Sequence, residues 1–272
     1  MYSDFLIQHE STIRLTVFLS LFGLVGLFEL WRPRRQLRAS KAARWFNNLG
    51  LVVLNTLVLR ALFPAAAVGI AFWAESNEFG LLNSVVFADV PSLLLIVSSV
   101  VFLDLAIWYQ HYLFHKIPVL WRLHRVHHAD VDFDLTTGLR FHPVEVVLSM
   151  AIKAALVVVL GIPVMAVILF EILLNGCAML THGNYRLPRV VDSVARHLFV
   201  TPDMHRVHHS WRKEEASSNF GFNLSVWDRL FGTYKEDSVD GQLGIQFGIQ
   251  KTLNPDAIPL HKMLSEPLKD RA

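Results

Sequence analysis

Residues 144–180 read VEVVLSMAIKAALVVVLGIPVMAVILFEILLNGCAML, an apolar stretch of 37 residues interrupted once, at Gly161, Ile162 and Pro163. One membrane-spanning helix needs about 20 apolar residues at 1.5 Å of rise per residue, so this stretch is too long for a single crossing. The Gly-Ile-Pro break divides it into two arms of about 17 residues, and it reads as a helical hairpin that returns the chain to its starting side. Working outward, Thr12–Trp31 is a nearly uncharged stretch of twenty that predicts a first span. A longer run, Phe46–Trp73, carries Arg60 and Pro64 and predicts a span that tilts or kinks. A third run, Pro91–Phe114, starts on a proline suited to a helix start and ends near Trp108, Tyr109 and Tyr112, aromatics typical of the head-group level. The expected fold is all-α and integral to a membrane: three transmembrane helices and the hairpin, with a cytoplasmic, histidine-rich helical cap made of the more polar residues after Thr181.

Composition agrees with a membrane protein. Hydrophobic residues make up 53% of the chain and charged residues 18%, and mean hydropathy is +0.39, too apolar for a disordered chain. A net charge of +2 gives no reason to expect nucleic acid. Cys177, the only cysteine, excludes a disulfide framework and a thiolate metal site, so any metal must be held by nitrogen or oxygen. The N-terminus lacks a basic segment and a small-residue cleavage site, so the first apolar run reads as a retained helix. Arg32, Arg34, Arg35, Arg38, Lys41 and Arg44 follow the first span, whereas residues 74–90 hold Glu75, Glu78 and Asp89 with no lysine or arginine. By the positive-inside rule the first loop is cytoplasmic and the second lies outside, which carries the histidine motifs to the cytoplasm.

Four histidine groups mark the chemistry. His111 and His115 stand in HYLFH, an i, i+4 pair on one helical face. His124, His127 and His128 form HRVHH, where i, i+3 and i+4 are expected to share a face and supply three donors from one turn, and His205, His208 and His209 repeat the same string. His182 ends the hairpin in THGN. Histidines also gather at helix ends as polar caps, but two separated copies of one five-residue string are hard to obtain by chance. Nine imidazoles exceed what one tetrahedral or octahedral ion can use, so the count fits two metals with four or five histidines each. Imidazole by itself does not choose among zinc, copper, iron and nickel. His142, in RFHPVE, reads as a helix-entry residue positioned by Pro143, with a tenth-ligand role as the alternative. Asp104 lies seven residues before His111 on roughly the same face and could orient a ligand through its second ring nitrogen, with packing against a neighbour's polar group as the alternative. His9, His197 and His261 fall outside any such spacing and read as surface residues.

At DLAIWYQHYLFH (104–115), LWRLHRVHHAD (120–130), MHRVHHS (204–210) and the closing NFGFNLSVWDRLFGTY (219–234), the chain resembles the fatty acid hydroxylase superfamily. The likeness covers about residues 100–235, and within it HHADVDFDLTTGLRFHP looks most like the alkylglycerol monooxygenase and bacterial sterol-desaturase-like branch. The resemblance implies a membrane non-haem di-iron oxidoreductase that uses O2 to hydroxylate or desaturate a fatty acyl, sterol or ether lipid. Its metals would be two iron ions held by His111, His115, His124, His127, His128, His205, His208 and His209, with His182 matching more loosely. Electrons would come from an external donor: a reductase or cytochrome, a ferredoxin or a pterin. The chain then divides into N-terminal transmembrane helices (1–95), a di-iron domain (96–240) and a C-terminal tail (241–272). Three other classes compete. A metal transporter would place its site near the bilayer midplane on broken helices, whereas these strings fall at helix ends. A zinc lipid hydrolase would mix carboxylates into the ligand set. A haem cytochrome needs only two or four axial histidines on facing helices.

Overall fold

A computed structural model describes residues 2–250 and 256–269. Five helical segments are long and apolar enough to cross a membrane: α2 (Glu10–Trp31), the broken pair α3 (Lys41–Leu62) and α4 (Ala66–Ser76), α5 (Ser92–Lys116), α7 (Pro143–Leu160) and α8 (Val164–Thr181). A short α1 (Tyr2–Gln8) precedes them and α6 (Pro118–His128) follows α5. The chain is all-helical, with only isolated bridges and no strand among the described residues.

The second run is interrupted more fully than a kink. α3 ends at Leu62 and α4 begins at Ala66, because Pro64 supplies no N–H to continue the ladder. At the hairpin, Gly161 caps α7 in the left-handed region (φ 66°), and its N–H reaches the carbonyls of Val157 and Val158. A side chain there would lie 2.7 Å from Asn83 Nδ2 and 2.8 Å from the Phe79 carbonyl, so glycine is required both for the turn and for the close approach of residues 79–83. α8 is the central helix, with 56% of its apolar window buried against 11% for α7, and α2, α4 and α5 pack on it.

Two ends result. At one, residues 79–83 meet the hairpin turn. At the other, residues 33–35 pair with residues 184–185 through Arg34 N to the Asn184 carbonyl (2.8 Å) and a Pro33–Tyr185 bridge. The second end carries the cap: α9 (Arg189–Ala195), α10 (Pro202–His208), α11 (Lys213–Ala216), α12 (Val226–Leu230), α13 (Gly241–Gly244) and α14 (Leu260–Ser265). Described residues after 240 belong to this cap. Ile245 and Phe247 are buried on Phe133, and Met263 is buried with Leu51 and Val126.

Candidate metal centre

α5 presents His111 and His115 at its cap-side end. Ile117 then turns the chain into α6, whose last turn carries His124, His127 and His128. His182 is the C-cap of α8, and α10 brings His205 and His208, with His209 as its C-cap. Thr201 caps α10 by accepting from Met204 N (3.5 Å), with Pro202 in the first turn, where it gives up no helical bond.

These nine imidazoles meet in two groups. His111, His115, His124, His128 and His208 form one, and His127, His182, His205 and His209 the other, each with ring nitrogens within 4.8 Å of one another. Each HRVHH string is divided between the groups. His124 and His128 go to the first and His127 to the second, while His205 and His209 go to the second and His208 to the first. The sequence expectation of three donors per turn on one face is corrected by helix geometry. At about 100° per residue, positions i and i+4 point about 40° apart, while i+3 diverges from i+4 by about 100°. The strings thus exchange their middle histidines, and the two groups adjoin, with His128 stacked on His209 at 4.4 Å between ring centroids.

Backbone carbonyls fix several rings. Nδ1–H of His111 donates to Phe220 O, that of His208 to Ser218 O and that of His182 to Ala178 O, each at 2.7 Å. A carbonyl only accepts, so Nδ1 carries the proton and each Nε2 presents a lone pair inward. His124 Nδ1 is held in the same way by Glu145 Oε1 at 2.6 Å. Inward Nε2 atoms then face one another: His111 lies 3.0 Å from His124 and 3.1 Å from His208, and His182 lies 3.0 Å from His205, 3.1 Å from His209 and 3.2 Å from His127. The Nε2 atoms of His115 and His128 have no hydrogen-bond partner among the described residues. Lone pairs gathered at this spacing repel unless they share a cation, and 3.0–3.2 Å suits nitrogens about 2.1 Å from a common ion. Burial, with repulsion among neighbouring imidazoles, holds His127, His128, His205, His208 and His209 well below the usual histidine range. Burial alone lowers His124 to about 3, and burial lowers His182 to about 4, opposed by its bond to the Ala178 carbonyl and by Asp134 and Asp130. All seven are therefore neutral near pH 7, as metal ligation requires. The residues present fit a pair of metal ions.

The two supporting candidates are placed differently. His142 joins neither group. It is the N-cap of α7, where Nδ1 accepts from Val144 N (3.2 Å) and Nε2 faces the Leu264 carbonyl (3.3 Å). Asp104 touches no imidazole, because the Nδ1 it could have held on His111 is taken by Phe220 O. It accepts instead from Asn223 Nδ2 (2.8 Å), Leu224 N (3.3 Å) and Trp227 Nε1 (2.8 Å). Asp228 similarly gathers Phe220 N, Gly221 N, Trp108 Nε1 and Thr233 Oγ1. Between them the two acids shape the segment that offers the Phe220 carbonyl to His111, so Asp104 acts one step removed from the ring. Glu145 was the residue missed. His9, His197 and His261 are exposed, as expected.

A comparable brace lies behind the second group. Arg44 of α3, 1% exposed, donates from Nε and Nη2 to Asp130 (both 2.8 Å) and from Nη1 to Asp134. Asp132 caps the turn before α3 by accepting from the N–H groups of Arg38 and Ala39 (2.7 Å each).

Residues 96–233 match the fatty acid hydroxylase family. The chain belongs to that family. It is 26% identical over 225 residues to an ornithine lipid hydroxylase of Rhizobium tropici, covering 80% of this chain and 66% of that protein. It is 24% identical over 173 residues to human alkylglycerol monooxygenase, covering 62% of this chain and 36% of that protein. A zebrafish cholesterol 25-hydroxylase-like protein is 25% identical over 256 residues, covering 85% and 95%. The chain thus spans about two thirds of the first of these relatives and about a third of the second. No solved structure matches.

Proposed function

We propose that this fatty acid hydroxylase family member is a membrane-bound non-haem di-iron oxidoreductase that hydroxylates or desaturates a lipid with O2 and externally supplied electrons. The observation that carries the reading is the division of nine buried or half-buried imidazoles into adjoining groups of five and four. An unactivated C–H bond offers no acid or carbonyl for side-chain acid–base chemistry, so a redox metal must supply the hard step, and zinc has no redox chemistry. In hydroxylation a C–H bond is replaced by C–OH, the second oxygen atom leaves as water, and two electrons and two protons balance the reaction. The electrons come from a reductase or cytochrome, a ferredoxin or a pterin. The nine histidines would hold the two irons. The carbonyls of Phe220, Ser218 and Ala178 keep the protons of His111, His208 and His182 on Nδ1, and burial of the rings keeps bulk water away from them.

Two measurements test this. Metal analysis of natively expressed protein should find close to two metal ions per chain, mostly iron, and His208→Ala should lower the iron and abolish lipid oxidation while the helices stay folded. Supplied with 18O2 and a reductant, the iron-loaded protein should place one labelled oxygen in a hydroxylated lipid. A single zinc per chain would refute the di-iron assignment, and so would full iron and full turnover in His208→Ala.

A further inference from the structure

A groove of about 1290 Å³ follows the outer side of α5 and the seam between α5 and α7. Phe102 and Leu156 line its deep end, and Lys116, Glu214 and Lys235 line the end under the cap. The fourteen-residue step from Phe102 to Lys116 on one helix makes it about 21 Å long, most of a hydrocarbon core of about 30 Å. Its rim residues Phe102, Tyr109 and Phe231 are 40%, 54% and 52% exposed, so the groove opens along the surface of the molecule. The lining therefore passes from hydrocarbon to charge along one axis, as a single amphiphile does. Neither lysine ammonium has a carboxylate within 4 Å among the described residues, and Lys116 rests on the Tyr112 ring at 5.4 Å.

The groove approaches the imidazoles toward its charged end. Phe114, a lining residue two positions from Lys116, has its ring 5.8 Å from that of His124. Ser218, also lining, accepts the His208 Nδ1 proton on its carbonyl. Phe102, at the deep end, is nine helical residues from His111, about 14 Å.

We propose that this groove binds one long-chain amphiphile with its anionic head group on Lys116 and Lys235, and that oxidation falls on the head group or the carbons next to it, away from the middle and end of the chain. The binding half stands alone, and the positional half rests on the lipid-oxidising reading above. The bond broken is a head-proximal C–H and the bond formed is C–O, with the same water, protons and externally donated electron pair.

Native mass spectrometry of the full chain in detergent, with phosphatidylglycerol and phosphatidylcholine of identical acyl chains as probes, tests the binding. Wild type should retain the anionic lipid preferentially. Lys116→Gln combined with Lys235→Gln should lower that retention by about tenfold or more, while Lys262→Gln, on the exposed face of α14, leaves it unchanged. Equal retention of the two lipids by wild type, or an unaltered preference in the double variant, would overturn the head-group assignment. Leu156→Trp should reduce retention of both lipids by filling the tail end; undiminished retention means that the bound lipid lies elsewhere. The position is read by locating 18O in the product of iron-loaded protein. A head-proximal oxygen is expected, and one at mid-chain or at the chain end sinks the positional claim while leaving lipid oxidation standing. Absence of any oxidised lipid counts against the functional reading, and the binding comparison still decides the groove.

Discussion

Glu145 accepts the Nδ1 proton of His124 at 2.6 Å, and its energetic role is to fix which nitrogen of that ring carries the lone pair. Removing such an outer partner costs about 10–100-fold in metal affinity or activity. Glu145→Ala is therefore expected to lose iron from the first group at limiting iron and to reduce turnover accordingly, while Glu145→Gln, which still offers a carbonyl oxygen, recovers part of both. Iron titration on the two variants is the check, and an alanine variant that binds iron like wild type would refute the role. His142→Ala provides the contrast. Loss of an N-cap costs about 1 kcal/mol of helix stability, so the variant should melt earlier and keep its iron. Eight of the nine clustered histidines were legible in the sequence because ligand spacing on a helix is a local property, and His182 was marked only by its place at the end of the hairpin. Glu145 was not, because nothing local connects it with His124, 21 residues earlier, until α7 packs beside α6.

At the scale of elements, the spans could be read from sequence because hydrocarbon thickness sets their length, and the hairpin turn could be read because Gly161 and Pro163 stop a helix whatever surrounds them. The tertiary braces could not. Arg44 reads as one more positive charge on a cytoplasmic loop, yet it is buried on Asp130 and Asp134, 86 and 90 residues further along. Charge patterns report the side of the membrane and say nothing of pairing. Removing one partner of a buried pair costs about 3–5 kcal/mol, because the other charge is left uncompensated. Arg44→Met should accordingly lower the melting temperature, and it should also weaken metal retention by the second group, since Asp130 and Asp134 begin the segment directly after His127 and His128. Arg44→Lys should recover only part of the stability, because an ammonium cannot reproduce the forked contact with the Asp130 carboxylate. Melting curves with iron analysis of the two variants decide this, and wild-type values for Arg44→Met would show the brace to be dispensable. The residues after 240 carry the same lesson. They lack a long apolar run, yet Ile245, Phe247 and Met263 are buried because the cap, and not the bilayer, is their solvent.

For the whole molecule, the structure fixes which segments share an end and leaves the direction across the membrane to charge. Residues 33–35, the histidine groups and the cap lie together, while residues 79–83 and the hairpin turn lie at the opposite end. The first end has the arginine-rich loop and the second the acidic one, and lysine and arginine are retained on the cytoplasmic side. The rule therefore predicts the histidines on the cytoplasmic side, where soluble reductants would reach them. Because Cys177 is the only cysteine, Cys177→Ala gives a background for single-cysteine reporters at exposed positions. A membrane-impermeant maleimide applied to intact cells should label Val85→Cys, which sits at a site 90% exposed. It should reach Gln36→Cys and Lys213→Cys only after permeabilisation. Because residues 33–35 and the cap are hydrogen-bonded to each other, the last two must behave alike. Labelling of both from outside would invert the molecule and remove the cytosolic electron supply, whereas labelling of one without the other would contradict the packing of the first loop against the cap.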